Sequence, residues 1–421
     1  MKLIIASLLF WGLNAFANAP SIRGFNLVDN DSIKFDSAAT PTDPKTPAQI
    51  AVDHAKRLGA NHVILNVRAI MKGGHGNEII PMTPPADRGN ELKRMVRLAK
   101  YIKSLGMTVG IRPIFFVFGP NGEFPYFEKL SDGTSKLWWH GNIQPQDPNR
   151  WFESFRVFLD VYLTFAKAAK IEEFTVGAEL YSMTVGVEDQ WTEYPYGFPG
   201  RWLELLRYVR KILPNARLMY DINFTDDSVN SGGLSASGGE LERWRYRIVD
   251  LADRMEPSER KIWEDLTNFW KELDAIGIDM YRSLASANQI FPKDFETLTQ
   301  KLKERTDSFA TQMDNTLTQI SLAVDMDKPM IFKEVGFRSV EAGFIDPFAY
   351  AGSGTVNIVH QASAMRALLE SFWDPQWPWF AGVNFWEISL SPELVGPNDN
   401  GFSPVGKELS ESIIFNYYRR P

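Results

Sequence analysis

Two short, largely apolar stretches each end in a glutamate: Phe174-Thr-Val-Gly-Ala-Glu179 and Pro329-Met-Ile-Phe-Lys-Glu334. Their apolar residues follow one another without polar alternation, which is typical of parallel strands buried on both faces. A carboxylate directly after such a strand loses hydration, which is costly unless the group is paired or hydrogen-bonded. Each stretch therefore predicts a strand of a parallel sheet, and each glutamate is a candidate functional residue.

Six further stretches of this kind occur, and the segments between them are amphipathic, as at residues 46–58, 91–105, 151–169 and 201–213. Eight strand-then-helix units predict an α/β fold, a single (β/α)₈ TIM barrel over residues 18–421 with loop insertions on its C-terminal face. The predicted strands cover residues 23–27, 61–67, 107–112, 174–179, 217–222, 275–280, 329–333 and 380–385.

One alternative fold and one long insertion stay open. A doubly wound sheet is the alternative, although Gly24-Phe-Asn-Leu27 is not the glycine-rich phosphate loop that usually follows its first strand. The insertion between the fifth and sixth strands, residues 226–255, would lie beside the active site of a barrel. It could shape a cleft, act as a lid or be a mobile surface loop.

The first 17 residues have the layout of a secretory signal peptide, with Lys2, an apolar core over residues 3–13 and small residues after it. The core is too short to cross a membrane, which takes about 20 apolar residues. Cleavage after Ala17 is preferred to cleavage after Ala19. The second cut would leave Pro20 directly after the cleaved bond, and a proline there makes a poor protease substrate. We expect a secreted or periplasmic protein; a buried N-terminal helix is the alternative.

The composition narrows the classes of function. Without cysteine, the chain has no disulfides, thiolate metal sites or lipid-modified cysteine. A net charge of −7 argues against nucleic acid as a partner. The 13 tryptophans suit a sugar-binding cleft, because indoles stack on the apolar faces of pyranose rings. Composition alone leaves neutral sugar polymers, small molecules and proteins open as partners. Taken together with the pair Glu179 and Glu334, it leads us to expect an oligosaccharide or polysaccharide substrate, and a monomer without a membrane anchor.

Metal and serine-esterase chemistry find little support. The histidines lack the spacing of a His-x-His or His-Glu-x-x-His motif, so neither a metal nor a cofactor is expected. No Gly-x-Ser-x-Gly elbow occurs either. The five histidines are His54, His62, His75, His140 and His360.

A pair of carboxyl groups is what glycoside hydrolysis needs: one protonates the leaving oxygen, and the other attacks or stabilises the anomeric carbon. Glu179 and Glu334 end the fourth and seventh predicted strands, where they can face each other across the barrel mouth. Retaining enzymes hold the two carboxyls about 5–5.5 Å apart. The alternative is that each glutamate only forms a salt bridge with a neighbouring lysine or arginine.

These motifs resemble those of glycoside hydrolase family 113, which belongs to a large clan of retaining barrel glycosidases. The typical substrate of the family is β-1,4-mannan. The resemblance implies that Glu179, in Val-Gly-Ala-Glu-Leu, is the acid/base. It implies that Glu334, in Phe-Lys-Glu-Val-Gly-Phe, is the nucleophile. Further similar segments are residues 269–281, 382–386 and 400–407. One departure is Ala178, which stands where many clan members have an asparagine that binds the sugar 2-hydroxyl.

Five other residues are candidates for substrate binding. Tyr281 follows the sixth strand, where its phenol could hydrogen-bond Glu334, and Trp386 ends the eighth, where an indole could form the floor beneath the sugar. Arg112 ends the third strand and could donate to a sugar hydroxyl or to a carboxylate. The alternatives are an amphipathic tyrosine at the barrel rim for Tyr281, core packing for Trp386 and an ion pair with a nearby acid for Arg112. Trp139 and His140, in the loop after the third strand, suit a sugar subsite or packing on the barrel.

Strand alternation places Lys333 on the side opposite Glu334, facing the helices or a buried acid. Two rival functions also stay open. A non-catalytic sugar-binding barrel would keep the aromatic loops without needing both carboxylates. A cell-wall glycan hydrolase acting on N-acetylated sugars would use the same machinery with room for an acetamide group.

Overall fold

The computed structural model describes residues 20–28, 35–231, 234–252, 256–257, 259–349, 354–391 and 394–420. The predicted signal peptide and both of its cleavage sites lie outside these residues, so they stay predictions. Within the described ranges, no helix is long and apolar enough to cross a membrane.

Eight parallel strands form a closed barrel. Each strand pairs with the next along the chain, and the eighth pairs with the first. The predicted TIM barrel is therefore confirmed, and the doubly wound alternative is wrong because an open sheet has two free edges. The strands are β1 Ile22–Val28, β2 His62–Lys72, β3 Thr108–Phe118, β4 Glu173–Ala178, β5 Arg217–Thr225, β6 Ala275–Tyr281, β7 Met330–Val335 and β8 Phe380–Ile388.

Helices follow the strands and pack their apolar sides on the barrel. Four of the helices begin at a side chain that accepts from the first turn: Thr46, Asp147, Asp294 and Asn357. Such caps satisfy amide groups that a helix start leaves unpaired. The helices are α1 Pro47–Arg57, α2 Pro85–Ser104, α3 Pro148–Ala169, α4 Tyr181–Thr184, α5 Pro199–Ile212, α6 Gly239–Arg245, α7 Arg260–Glu272, α8 Phe295–Val324, α9 Ile358–Phe372 and α10 Glu408–Tyr418.

Short elements cover the C-terminal end of the barrel. A hairpin of Tyr126–Lys129 with Ser135–Trp138 follows β3, and a two-residue strand, Ile80–Pro81, pairs antiparallel with β2. The insertion after β5 forms a second hairpin, Ser228–Ser231 with Leu234–Ser237, and continues into α6. These elements build the walls around the barrel mouth, which is where TIM barrels carry their active sites.

A buried charge cluster fills the lower part of the barrel. Lys333 Nζ binds Glu173 Oε1, and Arg217 Nε donates to the other oxygen of Glu173 at 3.1 Å. His62 Nε2 lies 3.4 Å from Glu173, so β2, β4 and β7 meet inside the barrel. The β6–β7 register shifts by one residue at Lys333. Such a bulge lets two consecutive residues face the interior, so the alternation expected for Lys333 is wrong, although its partner is a buried acid.

Replacing Lys333 tests this cluster. Lys333→Met should lower the free energy of unfolding by about 3–5 kcal/mol, because it leaves Glu173 buried without its ammonium partner. Urea unfolding measures the loss. Lys261→Met is the matched control; it breaks an exposed pair with Asp265 on α7 and should cost less than about 1 kcal/mol. Equal losses in the two variants would contradict a stabilising role for the buried cluster.

Candidate active site

Glu179 directly follows β4, with its backbone in the left-handed region at a φ of 54°. This conformation is costly for a residue other than glycine and must be held by its surroundings. Two hydrogen bonds hold it: Glu179 N donates to the Asp221 carbonyl at 2.8 Å, and Leu180 N donates to Tyr220 Oη at 3.0 Å. The turn directs the carboxyl towards His140, whose Nε2 lies 2.9 Å from Glu179 Oε2.

Glu334 lies near the end of β7 and has two donors of its own. Tyr281 Oη donates to Glu334 Oε2 at 2.9 Å, so the hydrogen bond anticipated for this tyrosine is present. Arg112 Nη1 binds Glu334 Oε1. The side chain of Glu334 is 12% exposed and that of Glu179 is 13% exposed. Both carboxyls can therefore be reached from the barrel mouth while most of their surface is protected from water.

Arg112, near the middle of β3, reaches across the barrel interior to three acidic side chains. Its Nε donates to Asp221 at 2.7 Å, its Nη2 to Asp279 at 2.6 Å, and its Nη1 to Glu334. Of the two partners anticipated for this arginine, a sugar hydroxyl and a carboxylate, the structure places carboxylates around it. Burial opposes its charge, but these acids hold the pKa of Arg112 well above its ordinary value.

Burial raises the pKa of Glu334, and the charge of Arg112 opposes that rise. The nearby charge of Glu179 raises the pKa further, while the hydrogen bond from Tyr281 lowers it. Glu179 is thus close enough to influence the ionisation of Glu334. Beside them, burial raises the pKa of Asp279 well above its ordinary value, against the charge of Arg112.

The tandem indoles after β3 have different surroundings. Trp138 is buried and packs edgewise on His75, with ring centres 4.8 Å apart. Trp139 is partly exposed and packs on His140 at 4.9 Å and on Tyr181 at 5.6 Å. Trp139 and His140 are thus next to Glu179, and the hairpin that ends at Trp138 positions them.

Trp386 lies near the C-terminal end of β8, one strand beyond Glu334. It is 7% exposed and packs in a small apolar cluster with Val28 and Phe402. The structure therefore places Arg112, Tyr281 and Trp386 on the Glu334 side of the mouth, and Trp139 and His140 on the Glu179 side. Their roles towards a substrate remain predictions.

Several residues of the site were missed from the sequence. Asp221 and Asp279 bind Arg112, and each interrupts an otherwise apolar strand, which is a signal that could have been followed. Asn223, two residues after Asp221, faces the same way by strand alternation. Glu240 lies in the insertion, where no pattern marked it. Over the described part of the chain, no group of three or more acidic or histidine residues is arranged to hold a metal ion.

Comparison with known proteins gives a match to one family and several solved structures of similar fold. Residues 252–407 match the family model described as Glycoside Hydrolase Family 113, a segment that contains Glu334 but not Glu179. No curated protein matches the sequence. A GH113 β-mannanase from Alicyclobacillus acidocaldarius, solved in complex with ManMIm, is 19% identical, with a TM-score of 0.60 over 96% of this chain and 98% of its own.

A second solved structure, of a complex of a GH113 β-1,4-mannanase, is also 19% identical, with a TM-score of 0.56 over 95% of this chain and 99% of its own. At this identity the structural likeness establishes the fold, while the family match supports a glycoside hydrolase. The resemblance predicted from the sequence is thereby confirmed, and it is to glycoside hydrolase family 113.

Proposed function

We propose that this protein is a retaining glycoside hydrolase that cleaves β-linked mannan-type polysaccharides by double displacement. The observation that carries the proposal is the placement of Glu179 and Glu334 after β4 and within β7, each nearly buried and each with different partners. The alternative of two independent salt bridges fits poorly for Glu179, because its neighbour is a histidine and not a lysine or arginine.

The partners of the two glutamates divide their roles. Glu334 receives a guanidinium and a phenol, which both stabilise a carboxylate. Because two nearby carboxylates repel each other, the pair favours a single negative charge, and the donors favour its location on Glu334. Glu334 is then the ionised nucleophile, and Glu179 carries the proton that the leaving group needs.

The reaction follows in two steps. Glu334 attacks the anomeric carbon while Glu179 gives its proton to the glycosidic oxygen, so that the bond to the leaving sugar breaks and a glycosyl ester forms on Glu334. Glu179, now ionised, removes a proton from water. The resulting hydroxide attacks the anomeric carbon, and Glu334 leaves as a carboxylate. Two inversions give net retention.

The sugar is proposed from the family. The resemblance to family 113 and the similarity to two solved β-mannanase structures support a β-mannan-type substrate. The N-terminal sequence supports export, so the substrate would be met outside the cytoplasm. A product analysis against mannan, cellulose, xylan and peptidoglycan fragments tests the class. Release of β-anomeric mannooligosaccharides, observed by proton NMR before mutarotation, is expected; preferential cleavage of peptidoglycan fragments would favour the cell-wall alternative.

Replacement of Glu334 and replacement of Glu179 should lead to different products when azide is added. In Glu334→Ala, turnover should be abolished while substrate binding survives, and added azide should produce an α-glycosyl azide, because azide attacks from the vacated face. In Glu179→Ala, substrates with a poor leaving group should lose about 10²–10⁴-fold in rate, and azide should produce a β-glycosyl azide. Product NMR and calorimetry measure these outcomes.

The matched control for that pair is Glu272→Gln, which alters an exposed glutamate bound to Arg207 on the barrel's outer surface. It should retain wild-type rates. Wild-type activity in Glu334→Ala, or the same azide anomer from both alanine variants, would contradict the assigned roles.

Tyr281→Phe should raise the pKa of Glu334, because it removes a hydrogen bond that stabilises the carboxylate. As the pH is lowered, Glu334 would then become protonated at a higher pH than in the wild type. The acidic limb of the kcat/KM profile should therefore shift to higher pH. Carbon-13 NMR titration of the glutamate carboxyls measures the pKa directly. Tyr101→Phe, which removes a comparable hydrogen bond to Asp53 on the outer surface, should leave the pKa of Glu334 unchanged. A similar rise of the Glu334 pKa in this control would contradict its origin in the Tyr281 hydrogen bond.

A further inference from the structure

A cavity of about 340 Å³ lies beside Glu179, between the loop after β3 and the insertion after β5. Its volume falls within the range of about 300–1,000 Å³ that is usual for small-molecule sites. The side chains that matter here come from four separate segments of the chain: Trp139, Tyr181, Asn223, Glu240 and Arg243.

Asn223 provides an unused hydrogen-bond donor at this cavity. The residue is 1% exposed, and its Oδ1 accepts from Glu240 N at 2.8 Å, which fixes the orientation of the amide. Its Nδ2 is buried and has no hydrogen-bond partner. Because a buried donor without a partner is unfavourable, native structures rarely keep one unless something else binds there.

Two aromatic rings form one wall of the cavity. Trp139 and Tyr181 pack against each other with ring centres 5.6 Å apart, and the Arg243 guanidinium lies 5.7 Å from the centre of the Tyr181 ring. Trp139 precedes His140, the neighbour of Glu179, and Tyr181 follows Glu179 by two residues. The wall is therefore formed by the two chain segments that carry Glu179 and its partner His140.

Glu240 closes the cavity as a neutral group. Tyr220 Oη and Trp244 Nε1 each donate to its Oε1 at 3.1 Å. Burial raises the pKa of Glu240 to about 8, so most of this carboxyl is protonated at neutral pH. The lining contains Asp227 as well as Arg243, so it carries charges of both signs beside its neutral hydrogen-bonding groups. Hydrogen-bonding groups without a large excess of either charge suit an uncharged polyhydroxylated ligand.

We propose that this cavity binds the leaving-group sugar, a neutral hexopyranose, with Asn223 Nδ2 donating to one of its hydroxyls and Trp139 stacking on its ring. The inference rests on the proposed function. We assign the cavity to the leaving-group side because two of its lining residues adjoin the proposed acid/base: Tyr181 follows Glu179 by two residues, and Trp139 precedes His140, which binds Glu179. Arg112 and Tyr281, which contact Glu334, do not line it.

The test compares two substrates that differ only in the leaving group: mannotetraose, cleaved after three sugars, and an aryl β-mannotrioside with an activated phenol. Asn223→Asp keeps Oδ1 and removes the donor. The ratio of kcat/KM for mannotetraose to that for the aryl substrate should fall about tenfold. Trp139→Ala should lower the same ratio, through the loss of stacking, and so provides a second variant. The control is Asn268→Asp on the exposed side of α7.

Equal losses on both substrates, or an unchanged ratio in both variants, would overturn the assignment. Mannobiose binding by calorimetry gives a readout that does not depend on turnover, with about tenfold weaker binding expected for Asn223→Asp. If the wild-type protein hydrolyses neither substrate, the proposed function fails. In that case unchanged mannobiose binding in both variants still overturns the cavity assignment, and weakened binding supports a sugar site.

Discussion

The buried guanidinium of Arg112 is the interaction on which the site depends. It joins four of the eight strands, because β3 supplies the arginine and β5, β6 and β7 supply Asp221, Asp279 and Glu334. A planar fork with several donors can hold three carboxyls in fixed directions, which a lysine cannot do. Without this cation, burial and mutual repulsion would favour protonation of the acids, and Glu334 would lose the charge that its proposed role as nucleophile needs.

A second charge layer lies below the first. Lys333 and Glu173 form its centre, and the charge of Lys333 also acts on Asp221, which is bound by Arg112. The bulge at Lys333 matters here because it lets adjacent residues serve different layers: Lys333 turns to the lower one and Glu334 to the upper. Barrel closure and the active site are therefore stabilised by linked groups of charges.

The sequence predicted the strands and the positions of both glutamates, since apolar runs and the rule that barrel sites lie at strand ends depend on local information. It predicted the bond between Tyr281 and Glu334 for the same reason, because β6 and β7 are neighbours. The partners of Arg112 could not be predicted from the sequence, because Glu334 lies 222 residues away along the chain. Either a carboxylate or a sugar hydroxyl could accept hydrogen bonds from the guanidinium. Asn223 and Glu240 were missed because their meaning depends on a fold of the insertion that no periodicity reveals.

Two further buried acids show how the site limits its charge. Glu240 lies beside Glu179, and Glu387 lies near Glu334; burial raises the pKa of each to about 8. Both are therefore largely neutral at neutral pH. Had they been charged, their repulsion would have raised the pKa of Glu334. Glu240 and Glu387 can thus share one cleft with Glu179 and Glu334 because burial keeps the first two largely neutral, and the identity of a carboxyl in the sequence does not by itself assign its role.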